Sequence, residues 1–239
     1  MRRAAGIVLL LPFLAVALDA HAAPPAHDVA FWHALAAKEF AVPEGESVGA
    51  LALEAAELLS SPDPKLRDSV AFDALARWVY VQGLVPPDGL EALRLRLQAG
   101  LGKGLGESGT DSAYGRSFSA LALSIVAAVD LKTPWMTKEA FEDLLAATTR
   151  YLTAEKDARG FVAGSGWVHA AAHTADVLKF LGRNPKLTPA GQAGSSRRSR
   201  RASGPPASST HGARTNASPS PSSPSRSEAT STRSRSRRG

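Results

Sequence analysis

Between Asp28 and Gly182, large apolar side chains recur at the three- and four-residue spacing of amphipathic α-helices. No run in this part of the chain alternates apolar and polar residues between hairpin turns, as paired strands would. We therefore predict an all-α fold, in which proline and glycine residues mark the connections. The predicted helical stretches are VAFWHALAAKEF, DPKLRDSVAFDALARWVYVQG, GLEALRLRLQAG, RSFSALALSIVAAVDL, TKEAFEDLLAATTRYLTAE and GWVHAAAHTADVLKFLG.

These helices predict a single domain over residues 23–192, which is long enough to bury one continuous core. Short connections favour antiparallel neighbours. The stretch RSFSALALSIVAAVDL is apolar around nearly its whole circumference, so we expect it to be the central buried helix. Helix pairs packed in sequence order would also fit a HEAT-like α-solenoid, although the chain shows no fixed-period repeat.

The first 22 residues are typical of a secretory signal peptide. Arg2 and Arg3 precede an apolar stretch, and Ala20-His21-Ala22 offers the small-x-small pattern of a cleavage site. An uncleaved membrane anchor is the alternative, but the apolar run is short and contains Pro12. We expect a secreted or periplasmic protein with no membrane span after signal cleavage, because no later segment is judged long and apolar enough to span a membrane. The absence of cysteine from the chain is compatible with that location.

Residues 193–239 differ sharply in composition from the rest of the chain. This segment contains ten arginines, 15 serines and one acidic residue, Glu228, and no large apolar side chain follows Leu187. Such a composition predicts disorder, because nothing offsets the entropy lost on folding. The tail carries a charge of +9 against a net charge of +6 for the whole chain, so the helical region is mildly acidic. Nucleic-acid binding by that region is therefore not expected.

Two further interpretations concern this Arg/Ser/Pro-rich tail. The sequence LTPAGQA resembles a helix start, yet apolar periodicity ends within a few residues of it. A shifted reading frame after about residue 192 would explain that change. Alternatively, the tail is a selected sequence that binds a polyanion through its arginines.

The most distinctive polar cluster of the helical region is GWVHAAAHTAD. In a continuous helix, His169, His173 and Asp176 would share one narrow arc, and Trp167 would lie on the apolar side facing the core. Asp176 would be placed to hold His173 by a hydrogen bond. A polar arc of this kind predicts the wall of a groove that holds a ligand.

The same two histidines also allow a metal site. His169 and His173 have the i, i+4 spacing at which two imidazoles bind one zinc ion. Asp176 lies too far along the helix to complete that site, and the glutamate that follows the first histidine in zinc proteases is absent. Hydrogen bonding between helices is a third interpretation of the same residues.

The loop that precedes this helix carries Asp157 and Arg159, and Ser165 is the expected helix cap. An arginine near a helix N-terminus can hold an anion. The simpler interpretation is an ordinary ion pair of Asp157 with Arg159 or with Arg116. Asp157, Arg159 and Arg116 are also candidate groove residues, with Arg159 at the mouth of the groove.

Three segments resemble a bacterial family known as domain of unknown function 2785. They are LGESGTDSAYGRSFSALALSIVAAVDLKTP, YLTAEKDARGFV and GWVHAAAHTADVLKFLGRNPKLT, and the resemblance extends over about residues 45–190. Its most specific part is Gly-Trp-x-His-x-x-x-His-x-x-Asp, with Asp-x-Arg-Gly shortly before it. The resemblance implies an all-helical fold and supplies no activity. It also implies further helices beyond residue 190, where this chain continues as the tail.

These observations favour an exported, non-enzymatic helical protein. We expect it to bind a small ligand or a peptide in a groove lined by His169, His173 and Asp176, with Trp167 behind these residues as a seventh member of the site, and without a cofactor. One alternative is a hydrolase-type enzyme in which His169 and His173 bind a divalent metal such as zinc or act as acid and base. The other is polyanion binding by the tail.

Overall fold

The computed structural model of this protein describes residues 27–189. The predicted signal peptide (residues 1–22) and the predicted tail (residues 193–239) both lie outside the described residues.

The described residues contain seven helices, when three consecutive helical segments between Lys65 and Val81 are counted as one. The helices pack antiparallel, so the all-α prediction is confirmed. They are α1 (Val29–Ala37), α2 (Val48–Leu58), α3 (π-helical Lys65–Phe72, α-helical Asp73–Leu75 and π-helical Ala76–Val81), α4 (Pro87–Gly100), α5 (Ser112–Lys132), α6 (Lys138–Ala154) and α7 (Ala170–Leu181).

Helix α2 is absent from the predicted helical stretches. Its N-cap is Ser47, and its buried face consists of Leu51 and three alanines, Ala52, Ala55 and Ala56. Alanines bury little apolar area, so the pattern of large apolar residues is weak over this helix although its packing is tight.

Helix α5 is the central helix, as its composition predicts. It packs against α7, α4 and the last segment of α3, and it buries side chains on most of its circumference. A solenoid, in which each helix pair contacts only its neighbours along the chain, is not shown by this arrangement.

Helix α5 is also long and apolar enough, by length and composition, to cross a membrane, and 72% of the relevant stretch is buried inside the fold. The sequence prediction that no segment after the signal peptide has this character is therefore wrong. Such a composition is expected for a core helix that is covered on several sides.

The predicted helix over GWVHAAAHTAD begins later than expected. Residues Phe161–Val162 (β1) and Gly166–Trp167 (β2) form a two-stranded antiparallel hairpin, with Phe161 opposite Trp167. Ser165 lies in the turn of this hairpin and does not cap a helix, and α7 starts at Ala170 after His169. The turn needs positive φ angles at Gly164 and Gly166, which an α-helix cannot accommodate.

A buried carboxylate joins the end of α5 to the segment after α7. Asp130 accepts hydrogen bonds from the backbone amides of Trp135 and Met136 at 2.9 and 2.8 Å. It also accepts from the side chains of Asn184 at 2.7 Å and Lys186 at 2.8 Å. These contacts hold the chain in place as far as Lys186.

Candidate functional site

A fully buried arginine anchors the hairpin to the helical body. Arg67, on α3, donates hydrogen bonds to the carbonyl oxygens of Ser165 at 2.7 Å and Ser61 at 3.0 Å, and its Nε pairs with Asp68 at 2.7 Å. Its guanidinium also lies over the rings of Tyr114 and Phe118, at 4.1 and 4.8 Å from their centroids. Because the charge is both paired and stacked, its burial is compensated.

An ion pair fixes the chain just before the hairpin. Asp157 is buried and accepts from Nε of Arg159 at 2.9 Å and from the amide of Gly109 at 2.9 Å. Burial raises the pKa of Asp157, but Arg159 and the Gly109 amide outweigh it and bring that pKa below its ordinary value. Arg159 also donates to the Thr110 carbonyl at 2.6 Å, so the pair joins the loop after α4 to the hairpin. The Asp157–Arg159 ion pair is therefore present, as the simpler interpretation predicts.

Arg116 takes part in a different ion pair. Its guanidinium is buried and contacts both carboxylate oxygens of Glu155, at 2.6 and 3.1 Å. The same side chain donates to the carbonyls of Lys103 and Gly104 at 3.0 and 2.8 Å. Burial acts against the charge of Arg116, but Glu155 outweighs it and the net effect raises the Arg116 pKa. The arginine holds the end of α6 against the loop that follows α4.

His169 is the residue that links the hairpin to α7. It caps α7 with a left-handed backbone (φ 50°, ψ 29°), a conformation that costs an L-residue free energy. Its amide donates to the Arg159 carbonyl at 3.3 Å. Its ring stacks on the indole of Trp167, with centroids 4.1 Å apart and ring planes 5° apart.

His173, one turn into α7, is held as a neutral imidazole. Its Nδ1 lies 2.8 Å from the hydroxyl of Ser117 and 3.2 Å from the carbonyl of the same residue. Ser117 donates its own hydroxyl proton to the Val168 carbonyl, so Nδ1 must carry the imidazole proton. Burial lowers the pKa of His173 to about 4, against weaker opposing effects of the Ser117 carbonyl and Asp176. The other ring nitrogen, Nε2, is therefore an unprotonated acceptor at neutral pH.

The four rings of Phe161, Trp167, His169 and His173 form a continuous row, which we call the aromatic–histidine row. Phe161 and Trp167 are 5.2 Å apart, and His169 and His173 are 5.9 Å apart. The first two are large, apolar and exposed, at 62% and 47%. His173 ends the row against Phe118, at 5.3 Å, where the protein interior begins.

The row includes three of the seven residues predicted to line the groove, Trp167, His169 and His173. Trp167 was expected to face the core and instead lies on the surface, because residues 166–167 are a strand. Asp176 pairs with Lys179 at 2.8 Å and makes no hydrogen bond to His173, so that expectation is wrong. Helix α7 buries another face, formed by Ala170, Thr174, Val177 and Leu181.

Among residues 27–189, no group of three or more His, Asp or Glu side chains is arranged to hold a metal ion. His169 and His173 thus lack a third protein ligand within that part of the chain. The loop carboxylate of Asp157 is engaged by Arg159, and that of Asp176 by Lys179.

A cleft of about 170 Å³ lies between the end of α6, the following loop and the first turn of α7. It contains Thr174 and Ala170 from the core-facing side of α7 and none of the four ring residues of the row. Its lining residues are Leu152, Glu155, Lys156, Asp157, Ala158, Ala170, Ala171 and Thr174.

Sequence reasoning did not identify Arg67, Ser117 or Phe161 as site residues. One signal was available for Arg67, since Val70, Ala71 and Ala74 follow it at helical spacing and are buried, which places an arginine on an apolar stripe. An arginine in that position requires a partner from another segment. That partner is Ser165, which lies 98 residues further along the chain than Arg67. Nothing in the sequence identifies it.

The described fold is a helical domain with a small hairpin before its last helix, and the buried Arg67 holds the turn of that hairpin. Residues 101–194 match the model of the family described as Protein of unknown function (DUF2785), so the chain carries a DUF2785 domain over that range. The predicted resemblance is confirmed there; the match does not include residues 45–100. The aromatic–histidine row lies inside the matched range, whereas Arg67, which anchors its hairpin, lies outside it. No curated protein sequence and no solved structure matches the chain.

Proposed function

We propose that this protein is exported and binds a ligand or a peptide, without catalysing a reaction, at the aromatic–histidine row. The observation that carries this proposal is the exposure of Phe161 and Trp167 on a hairpin that buried contacts hold rigidly. Large aromatic side chains in water are costly to keep exposed, and their clustering is characteristic of binding surfaces.

The backbone of His169 supports the same conclusion. A left-handed conformation is unfavourable for a histidine, and glycine or asparagine would adopt it more easily. Strained residues concentrate at functional sites. Here the strained position is the one that stacks an imidazole on the exposed indole of Trp167.

Ser117 and His173 form a hydrogen-bonded pair that superficially resembles a nucleophile and its base. Ser117 is completely buried, and its proton is donated to the Val168 carbonyl rather than to the imidazole. A nucleophilic serine needs its proton directed at the base and needs access to the substrate. The pair therefore favours a structural role for Ser117, which orients the ring of His173.

A matched pair of proteins tests the binding proposal. Wild type and His169→Gly are screened by thermal shift against a library of short peptides and a library of small polar molecules. We expect at least one compound that raises the melting temperature of wild type and not of the variant, because glycine keeps the left-handed backbone and removes the ring. If every compound that binds stabilises both proteins equally, binding occurs elsewhere and the proposal fails.

Export is proposed from residues 1–22 and has its own test. The full chain is expressed in a bacterium with a Sec pathway, and the N-terminus of the accumulated protein is determined by mass spectrometry. We expect a mature chain that begins at Ala23 in the periplasm or the medium. A cytoplasmic chain that retains its first 22 residues would contradict export.

A further inference from the structure

The structure near the aromatic–histidine row also constrains the chemistry of the ligand. We infer that the row binds an uncharged, hydroxyl-rich ring compound, namely a neutral oligosaccharide, through ring stacking on Trp167 and a hydroxyl donated to Nε2 of His173. This inference rests on the proposed function and adds the class of ligand.

Nε2 of His173 is the ring nitrogen that remains available to a ligand. Nδ1 is committed to Ser117, and Nε2 has no hydrogen-bond partner among the described residues and is not one of their buried unpaired polar atoms. An unprotonated imidazole nitrogen can only accept a hydrogen bond. Its partner must therefore be a donor, such as a hydroxyl group, and a carboxylate or phosphate ester oxygen would be repelled.

Charged side chains beside the aromatic–histidine row are already engaged in ion pairs. Three ion pairs lie beside the row: Arg67 with Asp68, Arg159 with Asp157, and Lys179 with Asp176. A site for an anion or a cation would be expected to offer an unpaired opposite charge. In each of these three pairs the two charges neutralise one another, which favours an uncharged ligand.

The aromatic side chains of the row present a flat surface to a ligand. One face of the Trp167 indole is covered by His169, and 47% of the residue is exposed, so part of the indole remains open to a ligand. Phe161 stands beside it with its ring plane tilted by 65°. The apolar face of a sugar ring can lie flat on such a surface while its hydroxyls stay solvated. A peptide anchor would favour a pocket for a side chain, and the cleft beside the first turn of α7 has none of the row residues in its lining.

The proposed test uses the intrinsic fluorescence of Trp167. Trp32 and Trp78 are fully buried and Trp135 is partly buried against the core, so Trp167, which lies in the row itself, is the indole best placed to respond to a ligand there. The probes are neutral hexasaccharides of α-1,4-linked glucose, β-1,4-linked glucose and β-1,4-linked N-acetylglucosamine, a uronic-acid hexasaccharide, and an uncharged aromatic hexapeptide. The proteins are wild type, Trp167→Phe and His173→Asn, in which the amide can still donate toward Ser117 but the Nε2 acceptor is lost.

We expect at least one neutral hexasaccharide to shift the fluorescence of wild type, with a Kd that does not change with salt concentration, because no ion pair is formed. His173→Asn should weaken that binding by up to about tenfold, the usual effect of one neutral hydrogen bond. Trp167→Phe should remove most of the fluorescence response. Tighter binding of the uronic-acid hexasaccharide, or strong salt dependence, would overturn the assignment of an uncharged ligand.

This experiment distinguishes failure of the sugar assignment from failure of the proposed binding function. If the aromatic hexapeptide binds with a Trp167-dependent signal and no neutral hexasaccharide does, the sugar assignment is wrong and the row remains a binding surface. If neither the sugars nor the peptide binds, the sugar assignment is overturned, and the library screen with His169→Gly then decides the proposed function separately.

Discussion

The guanidinium of Arg67 donates a 2.7 Å hydrogen bond to the carbonyl of Ser165, which joins α3 to the turn of the hairpin across 98 positions of the chain. This contact determines where the exposed rings of the aromatic–histidine row lie. Arg67 is completely buried, and the hairpin supplies one of its hydrogen-bond acceptors.

Gly166→Ala should loosen that anchor. Gly166 has φ +83°, and an added Cβ would approach Nη2 of Arg67 to 3.0 Å and Cβ of Pro64 to 3.2 Å. Gly164→Ala is the matched control, because Gly164 has φ +80° with no atom within 4 Å of an added Cβ. The positive φ angle should lower the free energy of unfolding by about 1 kcal/mol in both variants. Only Gly166→Ala adds a steric clash, so its total loss should be about 2–3 kcal/mol. Equal losses in urea unfolding would show that the close packing on Arg67 is unimportant.

His169→Gly should separate stability from binding. Glycine relieves the left-handed backbone, which is worth about 1 kcal/mol, and this gain offsets the lost stacking on Trp167. The free energy of unfolding should therefore change by less than about 1 kcal/mol while binding at the row is lost. Glu39→Gly provides the control, since Glu39 has φ 54° and lies in another part of the fold. That variant should be stabilised and should bind normally; a large destabilisation of His169→Gly would indicate that the histidine is primarily structural.

The stability of the protein should fall with acidification because of His173. Burial lowers its pKa from 6.5 to about 4. The unfolded chain therefore takes up a proton at a higher pH than the folded chain, and stability is lost as the pH falls from about 6.5 toward about 4. The full effect is on the order of 3 kcal/mol. Urea denaturation of wild type and His173→Asn over this range measures it; parallel curves for the two proteins would show that His173 does not titrate in this way.

The buried ion pair of Arg116 and Glu155 should be essential to the fold. Arg116→Met leaves the Glu155 carboxylate, only 7% exposed, without its partner, and should cost about 3–5 kcal/mol. The control is the exposed pair of Lys138 and Glu142 on α6, where Lys138→Met should cost less than about 0.5 kcal/mol. If the two substitutions lowered the free energy of unfolding by similar amounts, burial of the Arg116–Glu155 pair would not make it more important than an exposed pair.

Asp130 should determine how firmly the segment after α7 is held. Burial raises its pKa, but the Lys186 ammonium and two backbone amides outweigh that effect and lower the pKa overall. Asp130→Asn removes the charge facing Lys186 and should destabilise the protein by about 3 kcal/mol. Asp176→Asn, which breaks an exposed pair with Lys179, should cost under about 1 kcal/mol. Hydrogen exchange of residues 184–187 would then rise in Asp130→Asn alone; unchanged protection there would contradict the role of Asp130.

Several elements could be predicted from local sequence because each depends on neighbours along the chain. The apolar spacing of α3 and α4 identifies them, and the apolar circumference of α5 identifies the central helix. The separation of two residues made Arg159 one of two predicted partners of Asp157, and the structure selects it over Arg116. In contrast, α2 was missed since its buried face is mostly alanine, and the start of α7 was misplaced because two glycines allow a hairpin where helical spacing also fits.

By itself, the sequence determined that the chain forms helices, that α5 lies at the centre, and that the segment around His169 and His173 is unusual. These are consequences of side-chain periodicity, which acts over a few residues. Only the tertiary structure decided which way that segment faces, because the deciding contacts come from distant parts of the chain. Arg67 fixes the hairpin turn and Ser117 fixes the ring of His173, and a buried donor or charge must find its partner wherever the fold brings one within reach.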